Sequence, residues 1–262
     1  MNNGQLTLIK KDIRSITSNK QIFTVLLIVP LVLTVVLPSI FVLVLTQKPD
    51  AASDFQKLLD MLPVTEGACS QQQRILGLIL NNIMPPFFLI VPIMASSVMA
   101  ASSFVGEKEK HTLETLLYSP LSLRQLFQSK ILAGFSVGMM VSYFSFAAML
   151  LVVEMEVFFL TGNLITPGIS WLIIMLLIAP SFSLVAIAVT VRSSAKAKTI
   201  EEAQQRAVFL IFPILALVIG QFTGILLLNS WILLGLGVVL VVLDMLLMRG
   251  AAGNFTYEKL LK

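Results

Sequence analysis

Residues 75–104 read ILGLILNNIMPPFFLIVPIMASSVMAASSF and contain no Asp, Glu, Lys or Arg. A helix needs only about 20 apolar residues to cross the roughly 30 Å hydrocarbon core of a bilayer. A charged stretch follows at residues 106–130, GEKEKHTLETLLYSPLSLRQLFQSK, and a second uncharged run follows that at 131–153. This alternation of apolar run, polar island and apolar run predicts an all-α fold that crosses a membrane.

The whole chain has the composition of a protein with lipid as its solvent. Of its 262 residues 57% are hydrophobic and 12% are charged, whereas soluble domains carry about 25% charged residues. The one cysteine, Cys69, excludes an internal disulfide, and the one histidine, His111, excludes a multi-histidine site within one copy. We therefore expect neither a metal site nor catalytic residues in this chain.

Six apolar segments are long enough to be transmembrane helices. The first five contain no charged residue, and the sixth contains only Asp244. The sequence predicts a polytopic membrane protein with one transmembrane domain over residues 1–262, six transmembrane helices, and both termini on the same side. The segments run at about 21–46, 75–104, 131–153, 169–191, 207–228 and 231–248.

The basic residues predict the orientation of these segments. Fifteen of the 18 Lys and Arg residues fall on the side of the termini, and cytoplasmic loops are the loops enriched in Lys and Arg. Both termini are therefore predicted to be cytoplasmic, in a cell membrane of the prokaryotic inner or plasma type. The three basic residues on the other side are Lys48, Lys57 and Arg74.

Segments outside the spans also show helical patterns. Residues 1–20 place apolar side chains at helical spacing opposite basic ones, which favours a cytoplasmic amphipathic helix in the membrane interface over a merely solvated start. The outer loop at 47–74 predicts a short surface helix, and a second outer loop is expected near 154–168. The two apolar stripes are Leu6, Ile9, Ile13 and Ile16, and then Phe55, Leu58, Leu59 and Leu62.

The polar island at 106–130 predicts two helices separated by a sharp turn. Its first half, 107–118, is rich in helix formers, and Ser119-Pro120 ends that helix because the residue before a proline is pushed out of helical geometry. Ser122 and Gln125 have the spacing of a capping box, which begins a second helix that leads into the third span. Such a segment on the cytoplasmic face favours docking to a soluble partner over an ordinary basic loop.

The polar island also resembles the signature of ABC transporter permeases of the second, exporter-type class. It reads GEKEKHTLETLLYSPLSLRQLFQSKIL and follows a span that ends MAASSF. The resemblance implies that residues 105–130 couple this chain to an ATP-binding subunit, and that two permease chains, identical or different, pair in the membrane. It implies no cofactor in this chain, with ATP and Mg bound by the partner subunit. The coupling residues it implies are Glu107, Glu109, Thr112, Leu113, Glu114, Leu117, Ser119, Pro120 and Lys130.

Residues 192–206, RSSAKAKTIEEAQQR, resemble the second cytoplasmic loop of the same family, and Thr199 and Glu202 have capping-box spacing. The stretch from Glu201 also matches E-E-x-x-x-R, a pattern of intramembrane glutamate proteases. That chemistry would need further acid–base groups such as histidines in neighbouring spans, and no predicted span contains one. The glutamates are better explained as the start of a helix, where negative charge is favourable.

An ATPase that drives transport through this chain would have to be a separate protein. No G-x-x-x-x-G-K-[ST] phosphate loop occurs in the sequence, so an ATPase that powers it is a separate polypeptide. The basic residues follow one membrane side and are not clustered with aromatics, which argues against nucleic-acid binding. The rival hypothesis is an ATPase-independent channel or ion-coupled carrier, which would be expected to carry charged or histidine residues within its spans.

Polar and small residues within the spans are the remaining candidates. Asn81 and Asn82 precede Pro85 in the second span, and they either line a substrate pathway or form a hydrogen-bonded kink. Asp244 is either functional or a side chain that reaches the interface near Arg249. Close helix packing is predicted at Gly134 with Gly138 and at Gly220 with Gly224.

Overall fold

The computed structural model describes residues 3–47, 71–109, 121–194, 199–222 and 230–253, together with Thr112 and Ala197. Every regular element within these ranges is a helix, and they contain no strand. Five of the helices are long and apolar enough to cross a membrane. The predicted all-α, multi-pass architecture is therefore confirmed to the extent of five candidate spans.

The five candidate spans match the first five predicted segments. The sixth predicted segment falls in a C-terminal helix, Ser230–Gly253, whose apolar part, Trp231–Leu247, is shorter than the others. An N-terminal helix, Asn3–Ser18, precedes the first span. The spans are Lys20–Gln47 (span 1), Gln73–Glu109 (span 2), Arg124–Thr161 (span 3), Ile169–Ser194 (span 4) and Ile200–Gln221 (span 5).

Prolines interrupt four of the five spans. A proline has no N–H group, and its ring collides with the carbonyl four residues earlier in an α-helix. A π-helical turn widens the helix at this point, and in three spans such a turn ends two residues before a proline. These turns are Val32–Val36 before Pro38, Ile79–Ile83 before Pro85 and Ile174–Ile178 before Pro180. The α-helical pieces are Lys20–Leu31, Leu37–Gln47, Gln71–Leu78, Met84–Phe88, Ile90–Glu109, Ile169–Ile173, Ala179–Ser194, Ile200–Val208 and Ile211–Phe222.

Span 3 belongs to an unbroken helix of 39 residues, Leu123–Thr161, which contains no proline. The predicted capping box begins it: the Gln125 N–H donates to Ser122 Oγ, and the Ser122 N–H donates to the Gln125 side chain. Gly162 ends it with a left-handed φ of 73°. The helix continues through Glu154, where the second outer loop was predicted to start, because no helix breaker occurs before Gly162; the membrane side of this stretch stays a prediction.

Span 2 lies at the centre and packs closely against spans 3 and 4. A side chain at Gly138 would overlap the Ser96 hydroxyl, and one at Gly134 would come within 3.3 Å of Ile187. The hydroxyls of Ser96 and Ser183 lie 2.5 Å apart in a hydrogen bond between spans 2 and 4. The predicted close packing at Gly134 and Gly138 is confirmed, and the partners are spans 2 and 4.

Some predictions concern residues outside the described ranges, and they stay predictions. They are the surface helix at Phe55, Leu58, Leu59 and Leu62, the coupling residues Leu113, Glu114, Leu117, Ser119 and Pro120, the close approach at Gly224, and everything that depends on Cys69 or His111.

Candidate functional site

The charged start of the polar island is the last turn of span 2. Glu107 to Glu109 continue the helix Ile90–Glu109, and beyond it the Thr112 N–H donates to the Glu107 carbonyl over 3.0 Å. The sequence predicted that Glu107 begins a new helix. That prediction is wrong, because nothing between Phe104 and Glu109 breaks the helix that is already running.

Glu107 pairs with lysines from two other elements. Lys130 Nζ, at the start of span 3, lies 2.8 Å from Glu107 Oε2, and Lys11 Nζ of the N-terminal helix lies 3.0 Å from Glu107 Oε1. Lys130 Nζ and Glu107 Oε2 form an ion pair, but the angles between them do not fit a hydrogen bond. Only 1% of Lys130 is exposed. The two ends of the polar island are thus joined by a buried pair of opposite charges.

Asp12 of the N-terminal helix completes this cluster. The Ser103 hydroxyl donates to Asp12 Oδ2 over 2.7 Å, and Lys130 Nζ lies 3.9 Å from the same oxygen. Lys130 also donates to the Ser103 hydroxyl, over 3.1 Å, and to the Ser103 carbonyl. We call Asp12, Ser103, Glu107 and Lys130 the ionic junction. It connects the N-terminal helix, the end of span 2 and the start of span 3.

Burial dominates the electrostatics of the ionic junction. Burial raises the pKa of the Asp12 carboxyl, although the Lys130 charge and the Ser103 hydrogen bond act to lower it. The Lys130 ammonium also lies 5.1 Å from the centroid of the Phe104 ring, which attracts a cation through its π face. Breaking a buried ion pair by removing one partner costs far more than forming the pair gains, because the remaining charge is stranded.

A cavity adjoins the ionic junction between the N-terminal helix and span 2. Its volume is about 170 Å³, and its walls include Lys11, Ser15, Ser102 and Thr112. That volume has room for several water molecules beside polar groups. Water molecules in such a cavity would reduce the cost of burying two carboxylates within helix packing.

Glu109 faces a different element from Glu107. Its Oε1 accepts from the Ile200 N–H over 3.1 Å, at the first turn of span 5. A negative charge is favourable at the N-terminus of a helix. The predicted cap at Thr199 is also present, since its hydroxyl accepts from the Glu202 N–H over 3.3 Å. The Lys108 ammonium donates to the Ser194 carbonyl, at the end of span 4, over 3.4 Å.

Asn81, a candidate pathway residue, fixes the connection between spans 3 and 4. Its Oδ1 accepts from the Gly168 N–H over 2.7 Å, and its Nδ2 donates to the Thr166 carbonyl over 3.5 Å. The Trp171 indole donates to the Leu80 carbonyl over 3.0 Å. The structure therefore shows the hydrogen-bonded kink that the sequence left as one of two alternatives. The pathway role of Asn81 and Asn82 stays a prediction.

The comparison with known families decides the class of the protein. The sequence matches the model of the ABC-2 family transporter protein over residues 6–233. The chain belongs to this family. The match takes in most of the N-terminal helix, all five candidate spans and the start of the C-terminal helix. No curated protein and no solved structure matched the chain. The predicted membership of the second class of ABC permeases is confirmed.

The C-terminal helix of this ABC-2 permease packs against span 4. A side chain at Gly237 would overlap Leu177, and Asp244, seven residues on, lies on the same face of the helix. Asp244 is buried, with Ser181 beside its carboxyl. Among the described residues its Oδ1 has no hydrogen-bond partner. The close approach at Gly237 turns Asp244 towards span 4, and the choice between a functional role and a position near the interface stays a prediction.

Sequence reasoning missed Asp12 and Ser103. The predicted apolar stripe of the N-terminal helix ran along Leu6 and Ile16, but the buried stripe is Gln5, Leu8, Asp12 and Ile16. Leu6 is half exposed, and the interfacial position predicted for this helix stays a prediction. The available signal was a lone acidic residue among basic ones, KKDIR at 10–14. That pattern indicates an acidic residue with a particular partner.

Proposed function

We propose that this ABC-2 permease is the membrane subunit of an ATP-driven exporter, powered by a separate ATP-binding subunit. The subunit docks on the segment between Glu109 and Ser122, where the resemblance places Thr112, Leu113 and Glu114. The C-terminal helix serves as the sixth span, and both termini are cytoplasmic in the cell membrane. The N-terminal helix rests in the interface with its Leu6 side against lipid.

The observation that carries this proposal is the buried contact between Glu107 and Lys130. These residues flank the docking segment, Glu107 in the helix before it and Lys130 in the helix after it, and their charged groups are 2.8 Å apart. A docking segment with free ends would absorb a push from a partner by bending. Because its ends are joined to each other and to spans 2 and 3, a displacement of the segment reaches both spans.

The transport cycle follows from this connection. ATP and Mg bind to the paired ATP-binding subunits, and their closure displaces the docking segments of two permease chains. Spans 1 and 2 move with them and convert an inward-open pathway into an outward-open one. The pathway lies between the two permease chains, with spans 1, 2 and 5 contributing. In the described chain spans 1 and 5 are the least buried, which leaves apolar faces for lipid or for a second copy.

Co-purification from the native membrane tests this proposal. We expect the wild-type chain to bring down a soluble ATPase and to raise its ATP turnover after reconstitution in liposomes. Glu114→Arg, or deletion of 113–118, should release the ATPase while leaving the ionic junction intact. Glu154→Arg is the matched control, because the predicted topology places it on the opposite membrane face.

The same preparation separates the rival functions. Retention of the ATPase by Glu114→Arg would move the docking surface elsewhere. If no ATPase associates with the wild-type chain, the exporter proposal fails. Ion flux through liposomes that contain the chain alone would then support a channel or carrier.

A further inference from the structure

The geometry of the ionic junction points to a connection that includes a residue from outside the polar island. We call this connection the lock. We infer that Asp12 holds the N-terminal helix to both ends of the docking segment, so that the helix, the end of span 2 and the start of span 3 move as one body. The inference rests on the proposed function, since it names how the docking segment passes on its displacement. Asp12 is a positioning residue that acts through Lys130 and Ser103.

The first step of the argument is the isolation of Lys130 from solvent. Only 1% of Lys130 is exposed, and it lies against the Phe104 ring on one side. Its ammonium is held by Glu107, Asp12 and the Ser103 oxygens. Moving span 2 away from span 3 would separate the Glu107 and Lys130 charges, and moving the N-terminal helix away would break the contacts of Asp12 with Lys130 and Ser103. Such a separation is strongly disfavoured.

The second step distinguishes Asp12 from its neighbour Lys11. The Lys11 side chain is 54% exposed and reaches Glu107 from the rim. A long, half-exposed lysine can follow a moving partner at little cost. Asp12 is short and buried, and its hydrogen bond to Ser103 is only 2.7 Å long. Asp12 therefore fixes the position of the N-terminal helix, whereas Lys11 tolerates its displacement.

The third step is that Asp12 fixes the arrangement of the helices more than it stabilises the fold. Burial raises the pKa of its carboxyl in spite of the nearby lysines. A carboxyl that is harder to ionise in the folded protein does not stabilise the fold through its charge at neutral pH. Buried ionic groups of this kind can instead select one arrangement of helices over others. Here the selected arrangement joins three elements of one transmission path.

The fourth step is a second contact between the N-terminal helix and the docking segment. A side chain at Gly4 would lie 3.1 Å from Leu121, which immediately precedes the capping residue Ser122. From Gly4 to Asp12 the helix rises about 12 Å, and Leu121 to Lys130 covers a similar length along span 3. The N-terminal helix thus runs beside the root of span 3 and touches it at both ends.

A crosslink tests whether these elements stay together during the cycle. The double variant Gly4→Cys/Leu121→Cys is made in a Cys69→Ser background, which contains no other cysteine. We expect a disulfide to form on oxidation and the permease–ATPase complex to keep its ATP turnover in liposomes. Loss of turnover on oxidation, restored by reductant, would overturn the inference, because the helix would have to separate. Each single cysteine variant is the control.

Spin-label distances give a readout that a merely structural role would not move. Labels at the exposed positions Thr7 and Gln128 report on the two halves of the lock. In the wild-type complex we expect the same narrow distance distribution without ATP and after trapping with ATP and vanadate. Lys130→Met should broaden the distribution and lower ATP turnover by about fivefold or more. Lys10→Met, which changes an exposed lysine of the N-terminal helix, should leave both the distance distribution and the ATP turnover unchanged.

Two variants of Asp12 separate position from charge. Asp12→Asn keeps an oxygen that accepts from Ser103, so it should retain the narrow distribution, whereas Asp12→Ala should broaden it. A narrow distribution in Lys130→Met and Asp12→Ala, with the ATPase still bound, would refute the lock and leave the proposed function standing. If no ATPase binds at all, the proposed function fails, and the crosslink and the label distances still test the lock in the permease alone.

Discussion

The two ends of span 2 are fixed by opposite kinds of polar contact. At the Glu107 end three charged side chains meet within helix packing, beside a cavity with room for water. At the Asn81 end the contacts are neutral hydrogen bonds from an amide and an indole. Between them Ser96 bonds Ser183 across Gly138.

This difference teaches where a membrane protein places its charges. In the hydrocarbon core of a bilayer, an unpaired backbone carbonyl costs roughly several kcal/mol of free energy. A neutral donor can hydrogen-bond such a carbonyl without adding a charge. Charges are tolerated where water is close and every one of them has a partner. The proposed docking segment therefore lies at the charged end of span 2, and the opposite end is held by neutral hydrogen bonds.

The largest expected effect comes from breaking the charged end. Lys130→Met removes the buried cation beside Asp12 and leaves Glu107 with Lys11 as its only lysine partner within the described ranges, and removal of one partner of a buried pair costs about 3–5 kcal/mol. Thermal unfolding in detergent measures the loss, with Lys10→Met as the control that should unfold like wild type. The double variant Lys130→Met/Glu107→Gln should recover part of it, and no recovery would mean that the pair is not coupled.

Substitutions in the middle of span 2's contact with spans 3 and 4 should have the next largest effect on stability. Gly138→Ala places a methyl group against the Ser96 hydroxyl and Ser183, and overpacking of this kind costs about 1–3 kcal/mol. Gly235→Ala is the matched control, since nothing lies within 4 Å of a side chain there. We expect the control to be neutral or slightly stabilising, because alanine favours a helix. Equal unfolding temperatures for both variants would contradict the close contact.

At the neutral end the Trp171 indole is the contact to remove. Trp171→Phe keeps the ring packing and leaves the buried Leu80 carbonyl without its donor, at a cost of about 1–2 kcal/mol. Pro85, which has no N–H, cannot replace it. Trp231→Phe serves as the control, because Trp231 is 79% exposed. The unfolding temperatures of the two variants should differ, and equal values would argue against the hydrogen bond.

A smaller effect is expected at the root of span 3. Ser122→Ala removes the oxygen that accepts the Gln125 N–H, and loss of such a cap costs about 1 kcal/mol. Ser122→Asp keeps a capping oxygen and should retain the stability of the wild type. Thermal unfolding distinguishes them. If Ser122→Ala matched Ser122→Asp, the cap would be irrelevant to this helix.

The smallest effect is a pH dependence at Asp12. Its pKa is raised above the usual value of 3.8, so the folded protein binds a proton more tightly than the unfolded chain does. The resulting stability is complete below pH 3.8 and is lost as the pH rises through the folded pKa. Because asparagine cannot ionise, the free energy of unfolding of Asp12→Asn should therefore rise relative to that of the wild type as the pH increases. Unfolding temperatures across a pH series check the sign, with Glu201→Gln as the exposed control.

Local features of this fold were predictable from the sequence, and long-range pairings were not. The spans follow from uncharged runs, and the caps at Ser122 and Thr199 follow from spacing over three residues. The pairing of Lys130 with Glu107 and Asp12 does not, since both carboxylates are far from Lys130 in the sequence and any acidic residue on that side was a candidate. Prolines predict kinks, but that Trp171 satisfies the carbonyl freed beside Pro85 depends on how span 4 packs.

The coupling residues divide in the same way. The resemblance treated Glu107, Glu109 and Lys130 as one set for contact with a partner. In the structure Glu107 and Lys130 pair with each other, and Glu109 caps span 5. Periodicity cannot separate these roles, because all three residues are charged and it does not show which helix each one faces. What separates them is which neighbouring helix each side chain meets.

The unbroken helix that contains span 3 has a mechanical consequence. Spans 1, 2, 4 and 5 each contain a proline, but this helix runs for 39 residues without one. At 1.5 Å per residue it is a rod of about 58 Å, nearly twice the hydrocarbon thickness of a bilayer. Tilting such a rod by about 10° moves its far end by about 10 Å relative to its base. In the proposed transport cycle, a small displacement at Lys130 would therefore become a larger one at Thr161, at the opposite end of the helix.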